Sequence, residues 1–192
     1  MGRDKAFVEI DGESMVGRVA AALRAAGIDP LTTVGGDEAR LARHGLGHLP
    51  DRWPGEGPLG GLLVAVEWCP ADVLVAVGCD MPWLDAGTVA ALVAALRTSP
   101  EAVVAVAHSD RRQPLCAAWR AGEARRAVAS AFTGGQRSVR AVIERLTVVE
   151  VAVDAAFVRD VDRPADVTDE AAGGSEHPER PGTAPPGRDG GR

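Results

Sequence analysis

The chain has 192 residues, of which 46% are hydrophobic and 25% charged, a composition that suits one globular domain with a substantial core. Its formal net charge of −6 argues against a protein that grips nucleic acid through phosphate contacts. No apolar run approaches the roughly 18 residues of a membrane span, and no signal-peptide pattern is seen. We therefore expect a cytoplasmic protein with neither nucleic acid nor membrane as a partner.

Helix and strand signals alternate along most of the chain. Predicted strands occupy residues 7–10, 31–34, 46–49, 73–80, 102–106, 113–119 and 148–153. Predicted helices occupy residues 14–25, 37–44, 59–68, 86–96, 121–132 and 138–146, with Ser14 and Asp37 as N-caps of the first two. This alternation predicts a three-layer α/β sandwich with a mainly parallel sheet.

The composition changes near residue 170. Residues 1–170 carry all the predicted elements, whereas residues 171–192 are rich in glycine and proline and contain no apolar side chain larger than alanine. Such a segment cannot bury enough surface to offset the entropy lost on ordering. The sequence therefore predicts one domain over 1–170 and a disordered tail over 171–192.

The three cysteines, Cys69, Cys79 and Cys116, are odd in number and lack metal-ligand spacing. This pattern favours thiols in a reducing compartment over a disulfide framework. We expect the three thiols to be buried and unpaired.

The unbroken apolar run from Val73 to Val77 is followed by Gly-Cys-Asp-Met-Pro at 78–82. Such a run predicts a strand buried on both faces, and in open parallel sheets ligands bind beyond the carboxyl ends of the strands. Asp80 is therefore a candidate to hold a metal ion or a ligand hydroxyl. The alternative is that Asp80 only caps the following helix or starts a turn.

A second candidate is the loop at residues 53–61, which carries four glycines and two prolines in nine residues and opens into a helix. Glycine lets the backbone approach a ligand closely, and amides at a helix N-terminus can donate to anions. The competing interpretation is a tight connection between a strand and a helix.

Five short motifs occur together, at Met1–Ala6, Pro54–Gly61, Cys79–Pro82, Arg112–Ala117 and Asp160–Pro164. In their order and spacing the chain resembles the molybdenum cofactor guanylyltransferases, over about residues 1 to 168. The resemblance implies a Rossmann-like nucleotidyltransferase fold. It also implies Mg²⁺-dependent transfer of GMP from GTP to molybdopterin, with acceptor molybdoenzymes or their chaperones as further partners.

The resemblance also implies roles for individual residues. Lys5 and Asp80 match the catalytic residues, Lys5 at the nucleotide phosphates and Asp80 as the magnesium-binding acid. Nucleotidyl transfer depends on positioning and on neutralising charge at the α-phosphate, which suits a lysine and a metal-holding carboxylate. The remaining nucleotide-binding positions implied are Gly35, through its backbone, Asp51, Gly57 and Gly60. The alternatives are a solvated lysine for Lys5 and a turn residue for Asp51.

On the acceptor side, the resemblance places Arg112, Gln113 and Pro114 against the pterin substrate, and we consider Arg137 a candidate for its phosphate. Asp162 matches a position expected to hold metal or substrate. These assignments have structural alternatives: a strand start for residues 112–114, a solvated arginine for Arg137, and helix capping for Asp162.

Members of this family begin with a strand and a glycine-rich phosphate loop just before the Met-Gly that opens the present sequence. The first strand of the sheet is therefore expected to be missing, which would leave two neighbouring strands unpaired. We expect an upstream extension encoding that strand and loop; the alternative is a degenerate, inactive copy.

Two other functions stay open at this point. One is cytidylyl transfer, or another small-molecule nucleotidyltransferase reaction. The other is a non-catalytic module that binds nucleotide or cofactor, which the missing phosphate loop would suit.

Overall fold

The computed structural model describes residues 5–161. Its six α-helices are α1 (Met15–Ala25), α2 (Glu38–Arg43), α3 (Pro58–Trp68), α4 (Ala86–Thr98), α5 (Ala121–Thr133) and α6 (Val139–Ile143). Its eight strands are β1 (Glu9–Ile10), β2 (Glu13–Ser14), β3 (Thr32–Val34), β4 (Gly47–Leu49), β5 (Val73–Val77), β6 (Val104–His108), β7 (Arg112–Arg120) and β8 (Val148–Ala152). Short 3₁₀ turns lie at Lys5–Phe7 and Ala155–Val158.

The predicted elements are confirmed in order and type. The Ser14 hydroxyl accepts a hydrogen bond from the Gly17 amide at 3.2 Å, and the Asp37 carboxylate accepts one from the Arg40 amide at 3.0 Å, so both act as N-caps. The predicted strand at 7–10 is shorter than expected. Its first residue belongs to the 3₁₀ turn, and only β1 remains, paired antiparallel with the unpredicted β2.

The main sheet has the strand order β5-β7-β6-β8. Strands β6 and β8 are parallel, and β7 is antiparallel to both β5 and β6, so three of the four strands run the same way. Three of the four strands thus share the direction expected of a mainly parallel sheet, but the reversal of β7, which makes two of the three strand pairs antiparallel, was not predicted. It follows from the short connection at residues 109–111, which permits an antiparallel return where a parallel strand would need a long crossover.

Alternate residues of β6 and β7 face two separate cores. Val104, Val106, Ala117 and Trp119 pack against α3, α5 and α6. On the other face, Ala105, Ala107, Cys116 and Ala118 pack against α1 and α4. Helices therefore cover both faces of the sheet, which gives the three layers expected from the sequence.

The parallel pair β3–β4 forms a separate sheet. Within residues 5–161, β5 pairs only with β7 and β3 pairs only with β4, so β3 and β5 are not joined. A cavity of about 450 Å³ lies between them, lined by Thr32, Thr33 and Val34 of β3 and by the apolar residues of β5. All five residues of β5 are only partly buried, although their apolar character is typical of a strand inside a sheet.

Several sequence predictions fall outside the described residues. They are the disordered tail at 171–192, the domain boundary near residue 170 and the position of Asp162. Within residues 5–161, no helix is both long and apolar enough to cross a membrane.

We expect a polypeptide extended ahead of Met1 by a strand of about five apolar residues to be more stable than the 192-residue chain. The added strand would pair with β3 and β5 and cover their side chains. Burial of further apolar surface on the order of 3 kcal/mol should raise the Tm by about 6–12 °C. Thermal unfolding measures this shift. An equally long extension of serine and aspartate serves as the control, and an equal Tm for the two extensions would contradict the expectation.

Candidate active site

Asp80 lies in the turn that directly follows β5. The helix that comes next, α4, is capped by a different acid: the Asp85 carboxylate accepts a hydrogen bond from the Thr88 amide at 2.9 Å. Capping of α4, one of the two structural alternatives for Asp80, is therefore excluded. Asp80 is a partly buried carboxylate in a turn at the carboxyl end of a strand.

Gly78 provides the space that the Asp80 carboxylate occupies. A Cβ atom added to Gly78 would collide with Oδ1 of Asp80. The backbone at Gly78 is fixed, because its amide donates to the Leu115 carbonyl at 2.8 Å. The Asp80 carboxylate thus occupies the space next to Gly78, just after β5 ends. Any larger residue at position 78 would displace this carboxylate.

The segment at Asp160–Val161 returns to the same turn. The Val161 amide donates to the Asp80 carbonyl oxygen at 2.9 Å. Asp162 follows directly in the sequence but lies outside the described residues, so its predicted role stays a prediction.

Cys116 lies beneath this turn, paired with Val77 across β5 and β7. Burial, with smaller contributions from the negative charges of Asp160 and Asp85, raises the pKa of the Cys116 thiol to about 12. Cys69, Cys79 and Cys116 form no disulfide, which agrees with the predicted thiol state. The prediction that all three are buried is wrong for Cys79, which is exposed because it sits in the turn beside Asp80.

Gly35 and Asp51 lie side by side. The Gly35 amide donates to the Leu49 carbonyl at 2.8 Å, which brings the ends of β3 and β4 together. A Cβ atom at Gly35 would lie 3.5 Å from the Cβ of Asp51. The Asp51 carboxylate in turn accepts a hydrogen bond from the Trp53 amide at 2.9 Å. Trp53 is the first residue of the glycine-rich loop at residues 53–61.

The two loop glycines implicated in nucleotide binding lie in different surroundings. Gly57 is exposed and is the N-cap of α3, with a φ of +78° and no side chain to cap the helix. Gly60 is buried: a Cβ atom there would lie 3.4 Å from Trp53 and 3.5 Å from Phe132. The structure thus leaves the helix N-terminus open at Gly57 and uses Gly60 for close packing.

These parts meet at one cavity, the space between β3 and β5. Its lining includes Gly35, Pro58 and Cys79, which adjoin or belong to the predicted nucleotide and metal positions. Ala6 and Phe7 also line it, so Lys5 is one residue away from the lining along the chain. Gly35 thus lines the cavity, Lys5, Gly57 and Asp80 each directly precede or follow a lining residue in the chain, and Asp51 lies beside Gly35.

The predicted pterin-facing residues lie at the start of β7, next to the carboxyl end of β6, where Arg112 pairs with His108. The Arg112 Nε donates to the Glu150 carboxylate at 2.6 Å. Gln113 is buried and donates to the Ser109 hydroxyl at 3.4 Å. With Pro114 they form the start of β7, where the register against β6 shifts between Gln113 and Ala117, and in this strand it is Leu115 that reaches the cavity lining.

Arg137 is engaged with the protein itself. Its Nε donates to the carboxylate of Glu56, a residue of the glycine-rich loop. Sequence reasoning did not single out Glu56. The only signal was a charged residue between two glycines, and its partner lies 81 positions away.

Residues 1–151 match the MobA-like NTP transferase domain family. The chain belongs to this family. It is 32% identical over 176 residues to the probable molybdenum cofactor guanylyltransferase of Deinococcus radiodurans, covering 91% of this chain and 89% of that protein. It is 30% identical over 115 residues to the molybdenum cofactor guanylyltransferase of Shewanella sp. strain MR-4, a match that spans 58% of that relative's length.

Solved structures show the same fold. Molybdopterin-guanine dinucleotide biosynthesis protein A from Archaeoglobus fulgidus aligns with a TM-score of 0.67 at 20% identity, covering 89% of this chain and 91% of that one. The 2-C-methyl-D-erythritol 4-phosphate cytidylyltransferase from Thermus thermophilus aligns with a TM-score of 0.67 at 15% identity, covering 85% and 90%. The resemblance to a Rossmann-like nucleotidyltransferase fold is thus confirmed.

We expect the free energy of unfolding to fall as the pH rises above about 9, because of Cys116. The thiol titrates near pH 8.5 in the unfolded chain but at about 12 in the folded protein, so the folded state holds one more proton between these values. From pH 8 to pH 10 the wild type should lose about 2 kcal/mol relative to the Cys116→Ala variant. Urea unfolding of both proteins measures this difference; an identical pH dependence would contradict it.

We expect Gly78→Ala to lower nucleotidyl transfer about 100-fold, since displacement of a reacting group by about 1 Å has that effect. The group that must move is the end of a flexible side chain, so the Tm should stay within about 2 °C of the wild type. Gly122→Ala in α5, where an added Cβ meets nothing within 4 Å, is the matched control. Steady-state kinetics and thermal unfolding test both variants. Full activity of Gly78→Ala would show that the carboxylate position does not matter.

Proposed function

We propose that this protein transfers GMP from GTP to molybdopterin and releases pyrophosphate. The observation that carries the proposal is one cavity lined by Gly35 and by the chain neighbours of Lys5, Gly57 and Asp80, with Asp51 beside Gly35. The 32% identity to the Deinococcus radiodurans protein over nearly the whole chain supports a guanine nucleotide and a molybdenum cofactor as substrates.

The nucleotide would bind across the rim formed by the ends of β3 and α3. Gly35 offers only backbone groups, and the adjacent Asp51 carboxylate offers acceptors for N–H or hydroxyl groups of the nucleoside. The uncapped N-terminal end of α3 presents N–H groups and the positive end of the helix dipole, which favour phosphate oxygens. Lys5 would add a mobile positive charge at the phosphates.

The site fits a magnesium ion held mainly by its substrate. Among residues 5–161, no three His, Cys, Asp or Glu side chains form a metal-binding group, so a metal cage built from these residues is not offered. Mg²⁺ is commonly held by one or two carboxylates plus substrate phosphates and water. Asp80 would supply one carboxylate and Asp162 the second; a bound ion would neutralise charge that develops at the α-phosphate.

The acceptor would lie at the carboxyl ends of β6 and β8, against the start of β7. Arg112 forms an ion pair with Glu150, which holds its guanidinium at the carboxyl ends of β6 and β8. Arg112 and Pro114, which flank the buried Gln113 in the chain, would give a rigid surface for the pterin. A phosphate oxygen of molybdopterin would then attack the α-phosphorus of GTP, and the bond to pyrophosphate would break. Delivery of the product to molybdoenzymes or their chaperones in the cytoplasm completes the proposal.

We expect Asp80→Asn to lower GMP transfer by about 10²–10³-fold, the loss typical of removing one charge-stabilising group. The amide keeps the shape of the side chain, so the Tm should stay near that of the wild type. The assay incubates the protein with Mg²⁺, molybdopterin and labelled GTP or CTP and follows label in the dinucleotide product. Asp110→Asn, which changes an exposed acid in the β6–β7 turn, is the matched control.

The same assay separates the alternatives. Label from CTP alone would replace guanylyl by cytidylyl transfer. Label from neither nucleotide, in this chain and in the strand-extended form, would favour a binding module over an enzyme. Full activity of Asp80→Asn would show that Asp80 is not needed as a magnesium ligand.

A further inference from the structure

The ion pair between Glu56 and Arg137 connects two loops that are distant in sequence. Glu56 lies in the glycine-rich loop ahead of α3, and Arg137 lies in the turn between α5 and α6. The Arg137 Nε donates to the Glu56 carboxylate. Both side chains are nearly half exposed, at 41% and 47% of their surface. An exposed pair of this kind contributes only about 0–1 kcal/mol to stability, so stability alone does not account for it.

Arg137 is held rigidly on its own side of the pair. Its Nη1 donates to the carbonyl oxygens of Phe132 at 3.0 Å and Gln136 at 2.8 Å. Its guanidinium lies 4.1 Å from the centre of the Phe132 ring. The Gln136 side chain accepts hydrogen bonds from the amides of Arg137 and Ser138, at 2.8 Å and 2.9 Å. The Arg137 side chain is therefore held in one orientation by residues at and just after the end of α5.

The glycine-rich loop, in contrast, is exposed to solvent over residues 54–58. Gly55 and Gly57 both adopt positive φ, at +84° and +78°, a region that glycine enters freely but does not prefer. Arg137 binds the Glu56 side chain, and its backbone lies beside the next residue: the Arg137 carbonyl oxygen would be 3.4 Å from a Cβ atom added to Gly57. Arg137 therefore lies against the residues that lead into α3.

We propose that Arg137 is a positioning residue that acts through Glu56. It holds the glycine-rich loop so that the N-terminal end of α3 faces the nucleotide phosphates, an inference that rests on the proposed function. In this arrangement Arg137 binds no substrate atom itself, which differs from the phosphate contact considered from the sequence. Release of the pair would let the loop and the start of α3 move away from the nucleotide.

Kinetics of Glu56→Gln, Arg137→Met and the double variant test this coupling. Each single variant should raise the KM for GTP about tenfold with kcat within about twofold, because a loosened loop weakens nucleotide binding. The double variant should be no worse than either single one, since both changes break the same contact. Arg137→Lys, which keeps the charge but loses the planar guanidinium group, should recover part of the loss. Arg126→Met, an exposed arginine of α5, is the matched control.

Two kinetic outcomes would overturn the proposal. Wild-type kinetics for Glu56→Gln together with a defect in Arg137→Met would show that Arg137 contacts substrate directly. Additive losses, giving about a hundredfold higher KM in the double variant, would show that the two residues act independently.

Amide hydrogen exchange supplies a readout that needs no substrate. Exchange in the segment 53–60 should quicken about fivefold in both single variants and in the double variant, with α4 unchanged. If the wild type transfers no nucleotide but this exchange pattern is found, the proposed function fails and the loop coupling stands. Unchanged exchange in segment 53–60 would overturn the coupling itself.

Discussion

The structure depends on the central position of β7 in the main sheet. This nine-residue strand pairs with β5 on one side and β6 on the other, and Cys116 to Trp119 within it are fully buried. Its alternate side chains enter the two cores that the helices cover, so one strand links both helical layers. Each large apolar side chain buried in this way contributes about 1.5–3 kcal/mol. The site turn at Gly78 is itself fixed to β7 through the Leu115 carbonyl.

The second constraint is the unjoined edge between β3 and β5. Strand edges carry unpaired backbone groups, and here two such edges face one apolar cavity within the described part of the chain. The candidate site lies at the rim of that cavity, where strands end and α3 begins. The residues proposed to bind the nucleotide therefore lie on or next to the two sheets that flank this cavity.

Glycines shape this site by what they leave free. Gly78 makes room for the Asp80 carboxylate, Gly35 brings its backbone next to Asp51, and Gly57 starts α3 without a capping side chain. Each effect is steric and local. The orientation of the glycine-rich loop at residues 53–61 comes instead from Arg137. Its hydrogen bonds to the carbonyl oxygens of Phe132 and Gln136 hold its guanidinium in place. The site thus combines glycine positions, where the absence of a side chain leaves space, with the arginine at position 137, whose side chain is held in place.

The sequence by itself determined the order of elements, the caps at Ser14 and Asp37, the buried character of β6 and the family, whereas β5, predicted to be buried on both faces, is only partly buried. These depend on local periodicity and short motifs, which adjacent residues fully encode. Only the tertiary structure decided that β7 runs antiparallel, that Asp85 and not Asp80 caps α4, and that Arg137 is committed to Glu56. Strand direction and pairing between distant side chains are set by which segments meet in space, and contacts across 81 positions leave no periodic signal in the chain.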